Sequence, residues 1–259
     1  MKIAERPRAG VPVGPPISPT SGSVPPADQI SSVTRAFNEL RELIVRGHLP
    51  PGGWIIESAL AQRLGVSRTP IRAALHWLRR EGYVVELAGK RNTRVIVAPL
   101  TRDDAQELYR IIGHLETLAG VQVVALPART RTKVASELAA INQQLHAIAT
   151  ERPIDGRAVF DVDKAFHARI IDAAAGRRLR QLHNSVRPQV DRYWRLYASS
   201  IINELHRSVS EHDDIVEAVR KGDGDAMRRG LERNWAGGFE RISGLIDIFG
   251  ERGSWQVTQ

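Results

Sequence analysis

The sequence predicts two units of different fold class. An N-terminal winged helix-turn-helix, α+β with a small hairpin wing, precedes an all-α bundle of about six helices. Three observations carry this reading. Three short helical patterns, each closed by a glycine, lead into two β-rich pentads split by a five-residue turn. Residues 30–100 hold 11 basic and 5 acidic residues, so that stretch alone carries +6 of the chain's net +8. After Pro99 no strand pattern occurs, and amphipathic helical stretches follow one another to the end.

The elements follow in order. Residues 1–29 contain seven of the fourteen prolines, interspersed with Gly and Ser, and read as a disordered tail that cannot bury a core. From Thr34 to Arg46, Phe37, Leu40, Leu43, Ile44 and Val45 recur at helical spacing. Gly47, Pro50–Pro51 and Gly52–Gly53 then stop and turn the chain. A short helix spans Ser58 to Leu64 and ends at Gly65. A third begins at Val66-Ser67-Arg68-Thr69-Pro70, where Ser67 or Thr69 can cap and Pro70 fits a first turn, and it runs to about Arg80. Residues 83–87 and 93–97 are β-rich, and Ala88-Gly89-Lys90-Arg91-Asn92 between them is the turn of a hairpin. The bundle reads as six helices: Asp103–Ala125, Thr130–Thr150, Arg157–Ala174, Leu179–Ile202, Val209–Lys221 and Asp225–Ile248. The expected units are thus a tail over 1–29, a winged helix-turn-helix domain over 30–100, an all-α domain over 101–248 and a C-terminal tail over 249–259.

Composition excludes several function classes. With no cysteine there are no disulfides, zinc fingers, iron–sulfur clusters or thiol nucleophiles, which fits a reducing cytoplasm. No run of eighteen apolar residues exists to span a membrane, and the first thirty residues lack a secretory apolar core. The excess of positive charge in one small module points to a polyanionic partner.

The third helix of a helix-turn-helix enters the major groove N-terminus first. Here that end presents Ser67, Arg68, Thr69 and Arg72. Arginine bridges guanine O6 and N7 with two parallel bonds, while small hydroxyls reach phosphates or base edges. Lys90 and Arg91 at the wing tip reach either a phosphate or the minor groove.

The string from Arg46-Gly47-His48-Leu49-Pro50-Pro51-Gly52 through Leu60-Ala61-Gln62-Arg63-Leu64-Gly65-Val66-Ser67-Arg68-Thr69-Pro70-Ile71-Arg72-Ala73-Ala74-Leu75 to Glu81-Gly82 closely resembles the DNA-binding domain of GntR-family transcription regulators. The resemblance covers nearly all of residues 35–97. It implies operator contacts by Arg68 and Arg72 and a wing-tip glycine, Gly89, in the minor groove. Some relatives carry a DNA-contacting arginine where this chain has Ser58, so that contact is expected to be missing.

The helical half resembles, more loosely, the FadR-like subclass of that family, whose all-helical C-terminal domain (FCD type) binds ligands. Two strings carry it: Asp163-Lys164-Ala165-Phe166-His167, and Glu211-His212-Asp213-Asp214-Ile215-Val216-Glu217-Ala218. Many members hold a divalent metal through an Asp and a His four apart and two later histidines. The corresponding residues are Asp163, His167, His212 and, in place of the last histidine, Asn234, a weaker ligand. The spacing is physically sensible, because residues four apart share a helix face. A carboxylate and two imidazoles inside a bundle suit Zn²⁺, Ni²⁺, Mn²⁺ or Fe²⁺. The alternative is a metal-free site in which Asp163 orients His167 by a hydrogen bond. Ile112 stands where the class often places an arginine for the effector's carboxylate, which predicts a shifted ligand preference. Trp194, Tyr193, Tyr197 and Trp235 read as core or interface aromatics, and His114 and His146 as structural or surface residues.

The resulting expectation is no enzyme. It is a ligand-responsive homodimeric regulator, a repressor, reading a short inverted-repeat operator in double-stranded DNA. Its affinity is tuned by a small metabolite, such as an organic acid, with or without a metal. A metal-dependent hydrolase built on Asp163, His167 and His212 is the different-class alternative. It lacks an evident general base beside an open coordination position. An architectural DNA binder would not need the neutral helical half.

Overall fold

A computed structural model describes residues 27–87, 94–151, 153–201 and 204–254, with side chains omitted at 27–30 and 197–201. It contains nine helices and one hairpin among the described residues. The DNA-reading head comprises α1 (Ala27–Val45), α2 (Glu57–Leu64), α3 (Arg68–Arg80), β1 (Val84–Leu87) and β2 (Arg94–Val97). Helix α1 begins within the stretch read as tail. Gly65, at φ 63°, closes α2 in the left-handed region and sends its N–H back to the Ala61 and Gln62 carbonyls, which makes the tight turn into α3. Ser67 is the N-cap of α3, but its side chain makes no capping hydrogen bond. Pro70 lies in the first turn, where its missing N–H costs nothing. Leu40, Ile44, Leu60, Ile71, Leu78 and Tyr83 form the head's own core.

β1 and β2 pair antiparallel, with Val84 opposite Val97 and Leu87 opposite Arg94. The other edge of β2 is also used. Ile55 donates to Val95 O at 2.9 Å, Val97 donates to Gly53 O at 2.9 Å, and Trp54 bridges to Ile96. This short third edge escaped the sequence pattern because it is too brief to show alternation.

The helical domain comprises α4 (Arg102–Val124), α5 (Ala128–Thr150), α6 (Gly156–Ala174), α7 (Arg177–Ile201), α8 (Leu205–Lys221) and α9 (Gly224–Phe249). Thr101, Asp155 and Asp223 cap α4, α6 and α9 through side-chain bonds to first-turn amides. Val123, Leu138, Phe166, Ile170, Ile215 and Leu231 fill one core. Ile112, Tyr193, Trp235 and Ile242 belong to a second core nearer the head. Helices α4 and α9 approach closely because Gly120 presents no side chain: a Cβ there would lie 2.6 Å from Leu231 Cδ1. Along α4, Tyr109, Ile112, Glu116, Ala119 and Val123 all face inward, so the helix carries one carboxylate into the interior.

Helix α7 joins the two units. Gln189 Nε2 donates to Glu81 O and Arg192 Nη2 to Ala98 O, each at 2.5 Å. Tyr193 Oη accepts the Thr101 N–H at 3.1 Å and lies 2.6 Å from Asp104 Oδ2, which fixes the start of α4. Residues 250–254, within the C-terminal tail read from sequence over 249–259, pack back toward the head: Leu100 and Arg252 exchange two backbone hydrogen bonds.

Candidate functional site

The head presents the N-terminal end of α3 to solvent. Ser67, Arg68, Thr69 and Arg72 are all exposed, while Pro70, Ile71, Ala74 and Leu75 anchor the helix from below. Arg72 Nε donates to Glu57 Oε2 of α2 at 2.7 Å. That pair crosses the turn of the helix-turn-helix and limits the directions Arg72 can take. Glu57 was not foreseen, because its partner lies 15 residues away on another helix. Arg94 of β2 lies over the Trp54 ring, 4.1 Å from its centroid. Gly89, Lys90 and Arg91 lie outside the described residues.

The second site is inside the helical domain. A cavity of about 40 Å³ is lined by Asp163 and His167 of α6, Arg187 of α7, Asn234 and Arg241 of α9, and the rings of Tyr109, Trp194 and Trp235, among others. His212 of α8 adjoins it. Ligand atoms of Asp163, His167 and His212 all lie within 4.8 Å of one another. The structure thus brings together the three residues that the sequence paired. Asn234 joins them on the cavity wall, where its Nδ2 donates to Glu211 Oε2 at 2.9 Å. The amide oxygen is therefore the atom it has left for a cation.

The hydrogen bonds behind the imidazoles decide what they can do. Asn142 Nδ2 donates to Val209 O at 2.9 Å and to Asp213 Oδ1 at 2.8 Å, which turns its Oδ1 toward His212 Nδ1 at 3.2 Å. His212 therefore carries its proton on Nδ1. Its Nε2 has no partner and stands 3.8 Å from Asp163 Oδ1. Phe166 stacks on the ring with centroids 3.8 Å apart. Burial, reinforced by the His167 and Arg241 charges, holds the His212 pKa well below the ordinary histidine value. A buried, neutral imidazole with a bare nitrogen facing a carboxylate is the state a metal requires.

His167 is oriented by Glu116 of α4, a residue that the sequence pattern does not single out. Its Nδ1 lies 2.6 Å from Glu116 Oε2. This corrects the metal-free alternative, in which Asp163 orients His167: that role belongs to Glu116, from α4. Glu116 is fully buried and also accepts from Trp235 Nε1 at 3.0 Å and His183 Nε2 at 3.1 Å, with Arg187 Nη1 at 3.6 Å. Burial alone would raise its pKa, but His167, His183 and Arg187 override that and hold the carboxyl well below the usual range. Arg187 is itself fixed by Asp191 Oδ1 at 2.9 Å, and its Nη2 lies 3.8 Å from Asp163. Arg241 contacts Glu211 at 3.3–3.4 Å, longer than a strong charge-assisted bond. The Tyr109 hydroxyl, on the cavity wall, has no partner. Ile112 is buried in the core and does not line the cavity, and guanidiniums enter instead from α7 and α9. Of the aromatics, Trp194 and Trp235 line the cavity and Tyr193 is core, while the side chain of Tyr197 is not described. His114 and His146 are exposed.

A winged helix-turn-helix head on a helical domain with a polar cavity is the architecture of a DNA-binding transcription regulator, and the family matches agree with it. Residues 33–95 match the family described as "Bacterial regulatory proteins, gntR family", and residues 107–236 match the "FCD domain". The chain belongs to the GntR family and carries a C-terminal FCD domain. It is 30% identical to the HTH-type transcriptional regulator YdhC of Bacillus subtilis (strain 168), over 82% of this chain and 91% of that one. It is 24% identical to the gluconate operon transcriptional repressor of the same organism, over 83% and 86%. Among solved structures, E. coli McbR/YncC superposes with a TM-score of 0.63 at 19% identity, covering 83% of this chain and 98% of that one. A GntR regulator from Rhodococcus sp. RHA1 gives 0.62 at 22% identity, with the same coverage. No helix among the described residues is long and apolar enough to cross a membrane.

Glu116→Gln removes the negative charge that His167, His183 and Arg187 share. The expected loss is about 3–5 kcal/mol of stability, the usual result of removing one partner from a buried charged network. Urea unfolding of the full chain measures it, and a change below about 1 kcal/mol would contradict the central role given to this carboxylate.

Proposed function

We propose that the protein is a homodimeric repressor. Two α3 helices read a short inverted repeat in double-stranded DNA. A divalent metal, Zn²⁺, Ni²⁺, Mn²⁺ or Fe²⁺, held by Asp163, His167 and His212 with the Asn234 oxygen as a weaker fourth ligand, forms the floor of a small-molecule site. The observation that carries the sensing half is the bare, buried Nε2 of His212 aimed at Asp163. When bound, the metal would supply a Lewis-acidic position for an anionic oxygen of the effector. The chain's own residues do the rest. Glu116 and Asn142 fix the two imidazoles, and Arg187 and Arg241 offer charge to an acid.

An organic acid is the effector class these cations favour. The cavity, at about 40 Å³, holds an ion and a little water, so the effector enters by parting its walls. Relatives named as the gluconate and D-xylose operon repressors support the repressor mode. Ile111 and Leu118, exposed seven residues apart on α4, support a second copy packing on that helix. On the head, Arg68 and Arg72 read bases, and Ser67 and Thr69 reach base edges or phosphates. Gly89, Lys90 and Arg91 of the wing enter or flank the minor groove. The protein acts in the bacterial cytoplasm, where its operator is.

Metal binding to the folded state alone stabilises it by about 2.7 kcal/mol at a hundredfold excess over Kd. Dialysis against a chelator is therefore expected to lower the melting temperature, and Zn²⁺ or Ni²⁺ to restore it. His167→Ala should be insensitive to both treatments. A melting curve that ignores chelator and metals, with no metal by elemental analysis, would remove the metal from the proposal.

For the head, Arg72→Ala should weaken binding by about 1–3 kcal/mol at each half-site. The probe is an operator selected in vitro from random DNA by the wild-type protein, in a gel shift at matched salt. Wild-type affinity in that variant would refute the groove assignment.

A further inference from the structure

The head is fastened to the helical domain on two sides, and one of the fastenings is the segment just after α9. On the first side, α7 holds the Glu81 and Ala98 carbonyls through Gln189 and Arg192. Helix α7 also packs against α1 on this side. On the second side, the chain turns at Gly250, whose φ is +75°, and runs antiparallel to Leu100. Leu100 donates to Arg252 O at 2.8 Å and Arg252 to Leu100 O at 3.1 Å. Arg102, the first residue of α4, donates to Glu251 Oε1 at 3.1 Å through its amide and to Asp247 Oδ1 at 2.9 Å through its guanidinium, which ties the segment to the helical domain.

The segment then reaches the head itself. Gly253, at φ +81°, lies against the turn before α2: a Cβ on Gly253 would sit 2.6 Å from the Pro51 carbonyl carbon, and one on Gly52 would sit 2.6 Å from Gly253 Cα. Each glycine is required by the other's backbone, since any side chain would separate them. Gly52, also at positive φ, donates to Val97 O at 3.0 Å, so the contact bears on the wing's sheet and on the approach to α2 together. Pattern-based reading assigns residues 249–259 to a tail, and neither the DNA-reading residues nor the cavity needs these contacts.

We infer that residues 250–254 are a strap that sets the orientation of the DNA-reading head, and with it the half-site spacing that a pair of heads accepts. Helix α9, which ends in this strap, contributes Asn234, Trp235, Gly238, Arg241 and Ile242 to the cavity wall. A displacement of α9 is therefore delivered to the turn before α2 by backbone contact. The spacing clause rests on the dimeric reading above. The strap itself rests only on the two hydrogen bonds and the paired glycines. It is independent of whether a metal or an acid fills the cavity.

The test uses the full-length protein, Gly253→Val, and a chain ending at Phe249, which removes the strap without inserting a clash. Amide hydrogen exchange is followed at Leu100 and at Gly52–Ile55, with the α5–α8 core as the measure of intact folding. In both variants, exchange at Leu100 is expected to accelerate at least about tenfold while the core is unchanged. Binding is then compared on inverted repeats whose half-sites are moved apart base pair by base pair. The wild type should prefer one spacing by about tenfold or more, and the variants should accept neighbouring spacings within about twofold. Unchanged exchange at Leu100 in the shortened chain overturns the strap. Accelerated exchange with the wild-type spacing preference intact overturns its role in orientation. A wild type that sediments as a monomer with no spacing preference removes the dimeric reading and the spacing clause with it, and exchange still decides whether the strap holds the head.

Discussion

The charge on Glu116 is what the interior of the helical domain is arranged around. A carboxylate with no exposure is stable only if its oxygens are satisfied and its charge is matched. Here one oxygen takes His167 and Trp235, and the other takes His183 with Arg187 alongside. These partners come from α6, α9 and α7, so one side chain of α4 fixes the relative position of three other helices. The same bonds turn His167 so that Nδ1 is engaged and Nε2 is left for the cavity. Asn142 does the equivalent for His212 from α5. The cavity is thus polar and preorganised, because the groups behind it leave its ligands few other orientations.

This arrangement also links sensing to DNA reading by short paths. Arg187, in the cavity wall, lies little more than one helical turn from Arg192, which holds the Ala98 carbonyl just after the head's last strand. Helix α7, which contacts the head, and helix α9, whose extension does, both wall the cavity. A ligand that prefers one packing of these helices shifts the population of head orientations by no more than its differential affinity for them.

Much of this was legible in the sequence, and what was not has physical causes. The helices were readable because apolar residues recur at 3.6 and the ends carry Gly65, Gly222 and the capping Asp155 and Asp223. Asp163 and His167 were readable as a pair because four residues make one turn. Glu116, His183 and Arg187 were harder, since their partnership spans 51 to 71 residues of chain. A signal existed nonetheless. Glu116 falls in register with Tyr109, Ile112 and Val123 on the buried face of α4, and a carboxylate in such a register must have cationic or donor partners. Glu57 and the strap carried less signal. Their partners are set by the turn between helices and by backbone contact between two glycines, neither of which has a periodicity.

The account stands most directly on the protonation of two rings. Two-bond ¹H–¹⁵N correlation spectra of the ¹⁵N-labelled, chelator-treated full chain report which imidazole nitrogen carries hydrogen. The account predicts a protonated Nδ1 on both His167 and His212 and a bare Nε2 on His212. A His212 ring protonated at Nε2 would contradict it, because that nitrogen would then have a proton where the proposed metal needs a lone pair.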